Sequence, residues 1–116
     1  METQKRILHI EDDTELRSYV STLFEENATI NRSDSIQDPK QRILNEKYDI
    51  IILDMTLPDG SGMEIINLLK SNNITIPIII LSGHDVIDNM PNVKRVFLKN
   101  RHNTEDLVEL VEKLLN

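Results

Sequence analysis

Two uninterrupted apolar runs constrain this chain more than any other feature. Ile50-Ile51-Ile52-Leu53 and Ile76-Pro77-Ile78-Ile79-Ile80-Leu81 are rich in β-branched residues and lack polar alternation, as expected of strands buried on both faces. Strands of that kind belong to a parallel sheet covered by helices on each side. The first run ends at Asp54 and gives way to the polar turn Met55-Thr56-Leu57-Pro58-Asp59-Gly60-Ser61-Gly62. A carboxylate therefore stands where a buried strand leaves its sheet, the edge at which parallel α/β sheets place their chemistry. Beyond the turn, Ser61 and Glu64 have the spacing of a capping box. With Ser61 as N-cap, they start a helix that carries Met63, Ile65, Ile66, Leu68 and Leu69 to about residue 72.

The rest of the chain alternates in the same way. Residues 5–10 read as a first strand that runs into three acids, Glu11-Asp12-Asp13. Asp13 or Thr14 then caps a helix in which Leu16, Tyr19, Val20, Leu23 and Phe24 form one buried stripe, reaching about residue 26. Residues 28–33 are polar enough for an edge strand. Residues 38–46 form a short helix with Pro39 tolerated in its first turn. A last strand covers residues 94–99, and a closing helix capped by Thr104 presents Leu107, Leu110, Val111, Leu114 and Leu115 on one face. Between residues 84 and 93, Asp85, Asp88, Asn89, Pro91 and Asn92 leave room for at most a short helix. With right-handed crossovers, this order delivers Glu11-Asp12-Asp13, Asp54 and Ser82 to one edge of the sheet.

Composition narrows the chemistry at that edge. A length of 116 residues suits one domain, and no second is expected. The formal charge of −7 disfavours direct nucleic-acid binding, because few Lys and Arg are available to replace counterions around phosphate. The absence of cysteine excludes disulfides, thiolate metal sites and cysteine catalysis. No apolar run approaches a membrane span and the first six residues are too polar to start a secretion signal, so a soluble, cytoplasmic protein is expected. Clustered carboxylates cost free energy unless a cation neutralises them. Mg²⁺ suits them, since it takes one or two carboxylates and keeps positions for water and phosphate oxygens. Lys99 and Ser82 add an ammonium and a hydroxyl. Together these are the parts of phosphoryl transfer, with the carboxylate itself as nucleophile and an aspartyl phosphate as product.

Along its whole length the chain resembles the receiver domains of two-component response regulators. The resemblance is carried by Ile7-Leu8-His9-Ile10-Glu11-Asp12-Asp13, by residues 52–62 around Asp54, by Ile79-Ile80-Leu81-Ser82-Gly83 and by Phe97-Leu98-Lys99. It implies a flavodoxin-like (βα)5 fold with a parallel five-stranded sheet of order 2-1-3-4-5 and helices on both faces. It also implies that Asp54 takes a phosphoryl group from a histidine kinase or a histidine phosphotransfer protein. Glu11, Asp12 and Asp54 with the Thr56 backbone carbonyl would hold Mg²⁺, and Ser82 and Lys99 would grip the phosphoryl oxygens. An output domain or partner protein would read the phosphorylated state. His84 stands where the family varies a residue near the phosphoryl group, so with Thr56 it would tune phosphoryl lifetime, and an exposed loop histidine is the equal alternative. Three departures matter. Asn100 follows Lys99 where the family has a cis proline, so a trans peptide is expected there. Val96 occupies the position of the switch aromatic, and the stretch from Ser82 to Lys99 is short in the region of the fourth helix. Residues 84–93 are therefore expected to be irregular and the most mobile part of the domain.

Blander readings apply residue by residue. Asp13 suits a helix cap better than a metal ligand, Phe97 suits core better than switch, and His102 suits an ordinary loop position. His9, alternating with apolar neighbours, reads as a satisfied core histidine. A pseudo-receiver that signals by contact alone is the main alternative. A haloacid-dehalogenase-type hydrolase is disfavoured by Thr56, since that family has a second aspartate two residues after its nucleophile.

Overall fold

A computed structural model describes residues 4–84 and 90–116. The elements in chain order are β1 (Arg6–Ile10), α1 (Thr14–Phe24), β2 (Thr29–Ser33), α2 (Gln37–Asn45), β3 (Ile50–Leu53) and a ribbon of β4 (Thr56–Leu57) and β5 (Gly60–Ser61). They continue with α3 (Met63–Ser71), β6 (Ile78–Ser82), β7 (Val93–Leu98) and α4 (Thr104–Leu115). Five strands pair in parallel in the order β2-β1-β3-β6-β7, the 2-1-3-4-5 order expected of the flavodoxin-like fold. Every residue of β3 and β6 is buried, whereas β2 and β7 at the edges are partly exposed. The two apolar runs thus form central strands.

Side-chain alternation divides the interior into two cores. Leu8, Ile10, Ile51, Leu53, Ile78 and Ile80 pack with Ile43, Ile65, Ile66 and Leu69 from α2 and α3. Ile7, Ile50, Ile52, Ile79, Leu81 and Phe97 pack with Val20, Phe24, Leu107, Val111 and Leu115 from α1 and α4. Phe97 is core, as its apolar neighbours imply. His9 is fully buried, but neither ring nitrogen has a partner among the described residues. The expectation of a satisfied histidine therefore fails. β1 is paired on both sides, so backbone groups flanking the ring are already committed to the sheet. Burial, followed by the charges of Lys99, Arg17 and Arg32, pushes the His9 imidazole down to about 3.

Helix ends explain the boundaries. Asp13 caps α1 by accepting from the Leu16 N–H at 3.1 Å. Ser61 and Glu64 make the expected capping contacts, Ser61 Oγ accepting from Met63 N–H and Glu64 from Ser61 N–H. The N-cap of α3 is Gly62, one residue after the expected Ser61, and Gly62 itself has helical φ/ψ. Asn73, in the left-handed region at φ 54°, ends α3, with Ile74 N–H returning to the Leu69 carbonyl. The expected Thr104 cap is corrected. Asn103 is extended and its side-chain oxygen accepts from Glu105 N–H at 2.8 Å, while the Thr104 hydroxyl meets the Tyr19 hydroxyl.

The expected irregular segment at residues 84–93 falls largely on residues 85–89, outside the described residues. Met90-Pro91-Asn92-Val93 closes as a turn through Val93 N–H to the Met90 carbonyl, with Asn92 at φ 65°. Pro followed by a positive-φ Asn is what a type II turn requires. No cis peptide occurs among the described residues, so the Lys99–Asn100 bond is trans as expected.

One long-range cap ties the turn after Asp54 to the rest of the fold. Ile36, the N-cap of α2, has no side-chain cap of its own. The Asp59 carboxylate supplies one, accepting from Ile36 N–H at 2.8 Å and Gln37 N–H at 3.1 Å. Lys40 of α2 binds Glu64 at 2.8 Å beside it. Those backbone bonds, the Ile36 bond foremost, hold the Asp59 carboxyl below its usual pKa. A depressed carboxyl pKa contributes stability above its unfolded value and loses it as pH falls through the folded one. Asp59→Ala should therefore lower the melting temperature at neutral pH, and the gap from wild type should narrow in acid; thermal melts across pH check both.

Candidate functional site

Glu11, Asp54 and Lys99 are each the first residue beyond their strand and still hold one hydrogen bond of the sheet ladder. Glu11 N–H donates to Ser33 O at 2.8 Å, Asp54 N–H to Ile10 O at 3.0 Å and Lys99 N–H to Ser82 O at 2.8 Å. The backbone is thus fixed at the point where the side chains turn toward one another. Glu11 shares the face of Ile7, Asp54 that of Ile52 and Lys99 that of Phe97, which is the side covered by α1 and α4.

On that side Lys99 bridges two carboxylates. Its Nζ lies 3.0 Å from Glu11 Oε2 and 3.1 Å from Asp54 Oδ2. Asp54 Oδ1 accepts from Thr56 N–H at 3.2 Å, and Glu11 Oε2 also accepts from Asp13 N–H at 3.1 Å. Glu11 is fully buried and Asp54 is 4% exposed, whereas Asp12 stands exposed at the rim. Ligand atoms of Glu11, Asp12 and Asp54 lie within 4.8 Å of one another. Burial raises the Glu11 carboxyl to about 7, with the Asp54 charge adding to it and the bonds from Lys99 and Asp13 opposing. Burial also works against the Lys99 ammonium, but its bonds to Glu11 and Asp54 outweigh that, and its pKa is raised.

A divalent cation fits this arrangement. Three carboxylates face one ammonium, and the buried Glu11 Oε1 has no partner among the described residues. An orphaned carboxylate oxygen beside two more hard oxygen donors is the donor set that Mg²⁺ prefers.

The other expected residues are placed less centrally. Ser82 is buried at the end of β6, and its hydroxyl accepts from His84 N–H at 3.1 Å rather than bonding Lys99 or Asp54. Thr56 is exposed two residues after Asp54 and pairs with Ser61 in the ribbon. His84 is exposed. Two features had no clear signal in the sequence. Gly62 packs against the site backbone so closely that a Cβ there would lie 2.7 Å from the Asp54 carbonyl oxygen and 3.0 Å from Met55 Cα. His102, expected to be plain loop, is half-buried and bonded to the Leu98 carbonyl through Nδ1 at 3.0 Å. Its i,i+4 spacing from Leu98 was visible, but only the folded turn brings the groups together.

Comparison with known proteins agrees with this geometry. Residues 7–112 match the response regulator receiver domain family. The phosphate regulon transcriptional regulatory protein PhoB of Klebsiella pneumoniae is 37% identical over 82 residues, covering 68% of this chain and 36% of that protein. The cell cycle response regulator CtrA of Brucella ovis is 34% identical over 79 residues, covering 67% and 34%. The chain thus spans about a third of the length of these curated relatives. Among solved structures, the signal receiver domain of a LuxO repressor protein from Vibrio parahaemolyticus superposes with a TM-score of 0.85 at 25% identity, covering 97% of this chain and 91% of that one. The response regulator TrrA of Thermotoga maritima, solved with Mg²⁺-BeF, gives 0.81 at 25% identity, covering 95% and 98%. With its residues matched from β1 into α4 and its strand order that of the fold, this chain belongs to the response regulator receiver domain family.

Proposed function

We propose that the chain, as a single receiver domain over residues 1–116, accepts a phosphoryl group on Asp54 from a histidine kinase or a histidine phosphotransfer protein. An output domain or partner protein would read the phosphorylated state. The observation that carries this reading is the Lys99 ammonium bridging Glu11 and Asp54 at three strand ends. TrrA, a structural relative at 26% identity and a TM-score of 0.79, has been solved in complex with the histidine kinase ThkA, which supports a kinase as donor. No helix among the described residues is long and apolar enough to cross a membrane, in keeping with a cytoplasmic site of action.

In the proposed reaction an Asp54 carboxylate oxygen attacks the donor phosphorus. The new O–P bond forms as the donor's P–N bond breaks, and the imidazole leaves with the bonding pair and takes up a proton. Such a transition state spreads charge over the equatorial phosphoryl oxygens, so positioned positive charge does most of the catalysis. Lys99 supplies an ammonium whose raised pKa keeps it charged. Ser82 already accepts a bond from His84 N–H, which leaves its hydroxyl proton free to donate to a phosphoryl oxygen. Glu11, Asp12, Asp54 and the Thr56 carbonyl would hold Mg²⁺, which supplies charge neutralisation at the phosphoryl oxygens. The domain promotes its own phosphorylation and dephosphorylation and turns over no separate substrate. Thr56 at the second position after Asp54 provides no general acid for a haloacid-dehalogenase-type hydrolase.

Two measurements test the proposal. Intact mass after incubation with a small-molecule phosphodonor and Mg²⁺ should show one added phosphoryl group on the wild type and none on Asp54→Asn; an adduct on the variant would refute the assignment. Mg²⁺ binding should also depend on pH. Glu11 must release its proton to serve as a ligand, and its carboxyl is raised to about 7. Apparent affinity should therefore rise about tenfold per pH unit below that value and level off above it. In Glu11→Gln the slope should disappear, as followed by amide chemical shifts of residues 11, 12 and 54.

A further inference from the structure

The peptide that joins Leu98 to Lys99 is held on both sides. Its N–H donates to the Ser82 carbonyl at 2.8 Å, completing the β6–β7 ladder. Its carbonyl, on Leu98, accepts two bonds from the turn that follows, Arg101 N–H at 3.2 Å and the His102 ring Nδ1 at 3.0 Å. A carbonyl oxygen only accepts, so Nδ1 carries the proton.

The His102 ring is itself enclosed. Phe97 meets it edge-on at a centroid distance of 6.0 Å, and Tyr19 of α1 lies tilted at 6.2 Å. The Tyr19 hydroxyl reaches Thr104 at the start of α4, closing α1 and α4 around the ring. His102 Nε2 is buried and has no partner among the described residues. With one ring nitrogen unused and the other on the Leu98 carbonyl, the polar contact made by this side chain is directed at the peptide before Lys99.

We propose that His102 is a positioning residue for Lys99: through Nδ1–H it fixes the Leu98–Lys99 peptide in the orientation that aims the ammonium at Glu11 and Asp54. This rests on Lys99 acting on the phosphoryl group as proposed above. The ladder bond to Ser82 anchors the N–H of that peptide and the Nδ1–H bond joins the Arg101 turn bond in anchoring its carbonyl, which limits tilt of the peptide plane; a small rotation at Cα moves the end of a lysine by a large fraction of a hydrogen bond. The aromatic neighbours keep the imidazole from following such a rotation.

The test compares His102→Asn, whose side-chain amide nitrogen lies near the place of Nδ1, with His102→Phe, which keeps a ring between Tyr19 and Phe97 but donates nothing. Rates of phosphorylation by acetyl phosphate with saturating Mg²⁺ are measured together with the NMR signal of the Lys99 ammonium in the unphosphorylated protein. His102→Phe should slow phosphorylation at saturating donor about tenfold, leave the half-saturating donor concentration unchanged, and shift or broaden the Lys99 ammonium signal. His102→Asn should stay within about twofold of wild type and keep the signal in place. Should His102→Phe fail to fold, His102→Leu, which is smaller and likewise donates nothing, serves in its place. Wild-type rate and an unmoved Lys99 signal in the donor-free variant would overturn the inference, as would equal impairment of His102→Asn, which would assign the effect to ring packing. Wild-type protein that takes no phosphoryl group would defeat the phosphoacceptor reading instead, and the Lys99 signal would still decide the positioning.

Discussion

The Lys99 bridge to Glu11 and Asp54 is the interaction on which the rest of the arrangement depends. Burial opposes ionisation of Glu11 and the Asp54 charge beside it adds to that opposition, so an ammonium between the two offsets their repulsion. Lys99 can serve because β7 runs two residues past the level at which β1 and β3 end, and because Glu11, Asp54 and Lys99 each keep one ladder bond beyond their strand. Parallel pairing at full burial is therefore a precondition for the chemistry. It is achieved by the continuous isoleucine and leucine runs of β3 and β6, which are stable only with helices on both faces.

Pairing two carboxylates with one ammonium leaves the cluster short of positive charge, and burial, with the Asp54 charge adding to it, raises the Glu11 pKa. The cluster is thus poised rather than settled. A buried charge network is seldom a net source of stability, so the fold is held by the two cores instead. The neighbouring contacts have a different role. Gly62 lets α3 begin against the Asp54 carbonyl, Asp59 anchors the following turn to α2, and Asp13 both caps α1 and binds Glu11. The cluster is thus joined to α1 through Asp13, to α3 at Gly62 and, by way of the turn at Asp59, to α2.

Much of this was legible in the sequence, for reasons that are local. Apolar runs without alternation identified the central strands, and the stripe from Leu16 to Phe24 identified α1. Asp54 and the acids of residues 11–13 were legible as a site because strand ends in a parallel sheet converge. What escaped depends on partners distant in sequence or on a folded turn. The cap of α2 lies 23 residues away at Asp59. Asn103 took the cap expected of Thr104 because Thr104 is engaged by Tyr19, 85 residues away. His102 looked like loop until the turn after Lys99 brought it onto Leu98, and His9 looked satisfied until both flanks of β1 were seen to be paired. Val96, in place of an aromatic, is partly buried against the α2–α3 core, so it offers no ring to move between buried and exposed positions.

As proposed here, the Lys99-bridged cluster receives a tetrahedral phosphoryl group on Asp54. The most direct measurement is a crystal structure of the protein with Mg²⁺ and beryllofluoride, a stable stand-in for that group. The account predicts beryllium joined to an Asp54 oxygen, Mg²⁺ against Glu11 and Asp12, and the Lys99 ammonium moved from the carboxylates onto a fluoride. Beryllofluoride bound elsewhere, or Lys99 still bridging Glu11 and Asp54 with the adduct in place, would contradict it.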